Sequence, residues 1–105
     1  MKIKLFDKEY VVSMQLDRYF DGSRAILLTT NEGPFGKLTV HVPDTVLGVS
    51  EIIVKTWTEN VWAKSLLLDY PEVFQDTGRR VAVGYIMAEI WTINLEKAHE
   101  MGFVH

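Results

Sequence analysis

Two stretches of this chain carry residue types that could do chemistry: Lys55-Thr56-Trp57-Thr58-Glu59-Asn60 and Asp76-Thr77-Gly78-Arg79-Arg80. In the first, an apolar strand gives way to a helix. The leading N–H groups of a helix are unpaired and partly positive, which suits an anion or a carboxylate. Trp57 can stack a ring beside them, while Glu59 offers an acceptor and Asn60 both a donor and an acceptor. In the second, Arg79 and Arg80 follow a glycine turn and can clamp a phosphate or a partner's carboxylate through paired N–H groups. Each stretch also has a purely structural use. Thr56 and Glu59 stand at capping-box spacing, with Thr58 a rival N-cap. Asp76 and Gly78 can make a turn that leaves both arginines in water. A ligand site needs the arginine turn to fold back to the Trp57–Asn60 junction, and a protein-binding role gains if the two lie at opposite ends.

No other constellation spells out a reaction. Gly33-Pro34-Phe35-Gly36-Lys37 lacks the spacing of a phosphate loop and has Leu38 where a magnesium-binding hydroxyl belongs, so it reads as a hairpin loop. His41 falls on the polar face of a strand, and His99 and His105 lie in the tail without metalloprotease spacing. The serines show no nucleophile elbow. We expect no metal, no cofactor and no catalytic residue. Trp57, Trp62, Trp91 and Tyr85 can line a pocket, although such residues more commonly fill a core.

The elements that must position these residues come from the apolar pattern. Lys2 to Phe6 alternates with period two, and Asp7-Lys8 turns the chain. Tyr10, Val12, Met14 and Leu16 share one face, and Asp21-Gly22 signals a hairpin into Arg24–Thr30. After a loop over Asn31–Gly36, Leu38, Val40 and Val42 face in, while Lys37, Thr39 and His41 face out. Glu51–Thr56 forms the next strand, and Val81–Leu95 a long strand or strand pair bent at Gly84. A helix is expected from about Thr58 to Tyr70, stopped by Pro71. Trp62, Ala63, Leu66, Leu67 and Tyr70 make its apolar face. Val61 and Leu68 fall on the other side, where they form either a flank covered by a loop or the edge of an interface, with a partner or with a second copy of the chain. The expected fold class is α+β: an antiparallel, meander-like sheet of about five to seven strands with one main helix on one face. Residues 1–95 form the domain, and residues 96–105 a tail, either a short helix with Ala98 and Met101 inward or frayed.

Composition bounds the function. One domain accommodates 105 residues, and 48% hydrophobic with 24% charged residues is ordinary globular material. The chain has no cysteine, which removes disulfides, thiol catalysis and thiolate metal sites and fits a reducing compartment. A net charge of −3 argues against nucleic acid as partner. No signal peptide and no run of about 20 apolar residues is present, so the expectation is a cytoplasmic protein without a membrane partner.

Taken together, Gly36-Lys37-Leu38-Thr39-Val40, Pro43-Asp44, Val54-Lys55-x-Trp57-x-Glu59-Asn60, Thr77-Gly78-Arg79 and Gly84-Tyr85 resemble a family of small uncharacterised proteins from Gram-positive bacteria, their phages and conjugative elements. The resemblance covers about Lys2 to Leu95. It implies a setting and no activity: a non-enzymatic accessory protein of a mobile element. The functional expectation is binding of a host protein, such as a defence component. The alternative is a binder of a nucleotide or other small anion through Trp57, Asn60 and Arg79. An enzyme using Glu59 or His41 as general base ranks last, because no positioned partner group is written in the chain.

Overall fold

The computed structural model describes all residues, 1–105. Eight strands run β1 (Lys2–Leu5), β2 (Lys8–Val11), β3 (Ser13–Arg18), β4 (Arg24–Thr30), β5 (Gly33–Lys37), β6 (Glu51–Val54), β7 (Phe74–Val83) and β8 (Ile86–Ile93). Two short helices, α1 (Ser65–Asp69) and α2 (Leu95–Glu100), complete the fold, which is α+β. The strands form three small antiparallel sheets, β1-β2, β3-β4-β5 and β6-β8-β7, not the one larger meander expected.

The break between the second and third sheets has a visible cause. Beyond Lys37 the chain leaves the β4 ladder: Leu38 N–H still donates to Ile26 O at 2.9 Å, but the Ile26 N–H is taken by the Thr39 hydroxyl at 3.0 Å. Leu38 and Val40 pair instead with the β6 side, through Lys55 N–H to Leu38 O and Val40 N–H to Ile53 O, each at 3.0 Å. Residues 38–40 therefore form a seam between the two sheets. The strand expected over Lys37–Val42 is not formed: β5 takes up Gly33–Lys37, where a loop was expected, and beyond it only the isolated bridge Thr39–Val54 remains. Pro34 is tolerated because β5 is the last strand of its sheet.

The helix expected over 58–70 is interrupted. Thr58–Asn60 is one 3-10 turn, and only Ser65–Asp69 is α-helical. Its apolar face still behaves as the pattern predicts: Trp62, Ala63 and Leu66 are buried, and Leu67 and Tyr70 pack against the core. Leu38, Ile52, Phe74, Trp91, Met14 and Leu28 are fully buried in the same core. At the carboxyl end, the Asn94 side chain caps α2 by accepting from Lys97 N–H at 3.0 Å. Ala98 is buried, Met101 is exposed, and Val104 bridges Met14 in parallel.

Candidate functional site

The structure commits both stretches that the residue types single out to internal contacts. Asp76–Arg80 is not a free turn. It is a bulge inside β7, opposite Trp91–Glu89 of β8, with Gly78 at φ +82°. The Thr77 hydroxyl donates to Ile90 O at 2.6 Å, and Asp76 Oδ1 accepts from Gly78 N–H at 2.9 Å. Both arginines have internal partners. Arg79 donates to Glu51 Oε1 at 2.7 Å and to Val46 O at 2.9 Å. Arg80 donates to both carboxylate oxygens of Asp76 at 2.9 Å. The Arg80 guanidinium holds the Asp76 carboxyl below its usual range, and Asp76 in turn raises Arg80. Gly48 N–H and then Arg79 lower Glu51. Neither arginine is left over for a phosphate. Arg79 reaches Glu51 at the start of β6, whereas the Trp57–Asn60 junction lies beyond its far end. Arg80 stands opposite Glu89, which pairs in turn with Val54 at the junction end of β6, so the bulge flanks the junction but turns its guanidinium groups to internal carboxylates.

At the junction itself the capping box is absent. Trp57 is the N-cap and makes no side-chain cap bond. A helix of one turn offers no anion site of its own. The Glu59 carboxylate pairs with the Lys55 ammonium and accepts from the Thr58 hydroxyl at 2.5 Å. Those two contacts, Lys55 first, hold its carboxyl down to about 2. Thr58 sits at φ +50°, a strained conformation for a β-branched residue. Trp57 packs on Ile53, Ala88 and Ile90. Asn60 is buried, and its amide nitrogen donates to Lys37 O at 2.6 Å and Lys55 O at 3.1 Å. It ties the end of β5 to the end of β6. Val61 and Leu68 are 61% and 83% exposed, so no loop covers them.

What the junction does adjoin is a cleft of about 500 Å³ at the seam between the sheets. Lys55, Glu59 and Asn60 line it together with Lys37, Thr39 and His41, and with Tyr19 and Phe35. The Lys37 ammonium lies 4.8 Å from the Tyr19 ring centroid, and His41 stacks on that ring with centroids 4.8 Å apart. His41 Nε2 is 2.8 Å from Asp21 Oδ2. Hydrogen bonds from the Ser23 hydroxyl and then His41 lower the Asp21 carboxyl well below the carboxylate range. Thr39, expected to face solvent, is 2% exposed because Tyr19 covers it and bonds its hydroxyl at 3.1 Å. The alternation Lys37-Thr39-His41 was the available signal for this lining; nothing in the sequence paired it with Tyr19 or Lys55.

The molecule is thus an α+β protein of small antiparallel sheets with a polar, cation-lined cleft where two of them meet. No helix is long and apolar enough to cross a membrane. No protein-family model, curated protein or solved structure matches the chain. The family resemblance of its motifs therefore rests on the residues alone.

Proposed function

We propose that this protein is a non-enzymatic binding protein whose partner is another protein. One observation carries the reading: Val61 and Leu68 stand in solvent while the other apolar residues of the same helical segment are spent on the core. Exposed apolar side chains on an otherwise well-buried segment suit a protein interface. The engagement of both arginines by internal carboxylates favours the same choice, since neither is free for the composite ligand site that would need them. The mobile-element setting implied by the motifs makes a host protein in the cytoplasm the natural partner.

The test is capture from host extract with the tagged chain and with the double variant Val61→Asp, Leu68→Asp, both shown to be folded by circular dichroism. A specific partner should be retained by the parent chain and its recovery should drop at least tenfold with the variant. Equal recovery by both, or no specific partner for the folded parent chain, refutes the reading.

A further inference from the structure

We propose that the cleft at the sheet seam binds a small organic oxyanion, a phosphate or carboxylate carried on a planar ring. The residues that line the cleft do not include Val61 or Leu68, and the proposal does not depend on them.

The first argument is charge. Lys37 and Lys55 line the cleft against a single carboxylate, Glu59. Lys55 is paired with Glu59 and His41 with Asp21, while Lys37 enters no ion pair. Its ammonium is nevertheless held over the Tyr19 ring rather than spread through solvent. An ammonium placed in this way, with no counter-ion of its own, suits an oxyanion and loses little rotamer freedom on binding one.

The second argument is a free acceptor in a nearly buried residue. Two carbonyl acceptors fix which end of the Asn60 amide carries the nitrogen, so Oδ1 is the other end. Oδ1 takes no hydrogen bond from the protein. It is not sealed from solvent either, since no sealed side-chain polar atom of this structure lacks a partner. It is available to a hydroxyl or N–H on the ligand. The third argument is the ring wall. Phe35, in contact with Tyr10 and with Trp62 at centroid distances of 5.1 Å each, lines the cleft and supplies apolar surface beside the lysines.

Glu59 completes the picture. Its carboxylate already occupies Lys55 as the ligand's oxyanion would, and its side chain is 68% exposed, so water can receive it when it is displaced. Glu59 is therefore a built-in competitor, and removing its charge should tighten binding.

The experiment is an amide NMR titration at low salt with phenyl phosphate, benzoate and, as the uncharged control, phenol. At least one anion should give saturable shifts confined mainly to residues 36–41 and 55–60, and the tighter of the two identifies the preferred headgroup. Lys37→Ala, at an exposed side chain, should weaken that binding at least tenfold. Glu59→Gln should strengthen it severalfold with the same amides shifting, and added salt should weaken it. The proposal is overturned if neither anion gives saturable shifts with the parent chain and Glu59→Gln, if phenol binds as well as the anions, or if Lys37→Ala and salt leave the affinity within twofold.

Discussion

Asn60 offers the sharpest test of how the seam is held. The residue is 2% exposed, and its one amide nitrogen serves two backbone carbonyls, Lys37 O and Lys55 O. Alanine at this position removes two hydrogen bonds, each of net worth about 1 kcal/mol, and deprives two carbonyl oxygens of a partner, so the expected loss is about 2–4 kcal/mol. For a domain of this size that corresponds to a fall in Tm of roughly 10–25 °C. Aspartate is nearly isosteric, and volume alone predicts a smaller loss than for alanine. The hydrogen bonds predict the reverse at neutral pH. A carboxylate oxygen would sit where the amide donor now stands, facing two carbonyl oxygens with no proton between them, and burial of that charge adds its own cost. Asn60→Asp should therefore be less stable than Asn60→Ala at pH 7. Near pH 4 the order should close or invert, because the protonated carboxyl can donate to Lys37 O. Urea unfolding of both variants at the two pH values, followed by circular dichroism, measures this. Asn60→Asp matching or exceeding Asn60→Ala at pH 7, or a gap that ignores pH, would show that the amide is not what joins β5 to β6.

Two further outcomes are expected. A Cβ at Gly36 would stand 2.9 Å from Cζ2 of Trp62, whose ring is pinned by its N–H donating to Glu59 O at 2.7 Å, so Gly36→Ala should cost about 1–3 kcal/mol and shift the tryptophan emission; an unchanged urea midpoint would contradict the close approach. Asp21, Glu51, Glu59 and Asp76 all have carboxyls lowered in the folded state, so the stability they add is present above their unfolded values near 4 and is lost as pH falls through the lower folded ones; the urea midpoint should drop between pH 5 and pH 2, and a flat or rising midpoint would refute these contacts.

Residues whose burial follows from local periodicity were legible in the sequence. Trp62, Ala63, Leu66, Leu67 and Tyr70 turn to the core as the helical pattern requires, although most of the expected helix is not α-helical. The face survives because a 3-10 turn advances the chain by an angle close to that of an α-helix. The Asp21-Gly22 turn and the bend at Gly84 also follow from local chemistry, since Gly22 and Gly84 adopt positive φ. Other features depended on distant partners. Arg79 looked like a ligand clamp because Glu51 lies 28 positions away in the chain, and Arg80 because Asp76 was assigned to a turn. Thr39 looked like a surface residue because its cover, Tyr19, comes from a different strand.

The same logic explains why the helix start expected at Thr58 is not one. A capping box would need the Glu59 carboxylate to turn back to the Thr56 N–H, but the Lys55 ammonium and the Thr58 hydroxyl hold that carboxylate. Asn60 must at the same time reach the carbonyls of Lys37 and Lys55, and Trp62 must bring its ring close against Gly36. These tertiary demands act on three residues within one turn, and together they outweigh the few tenths of a kcal/mol per residue that separate helical from other backbone states. The chain answers with one 3-10 turn and a strained Thr58. From this broken turn the Asn60 amide reaches across the seam to Lys37 O, and Lys55 and Lys37 both line the cleft beside it. The residue that joins the sheets and the residues that make the cleft cationic therefore depend on one geometry. A variant that repairs the helix should abolish the oxyanion site even if Lys37 and Lys55 are untouched.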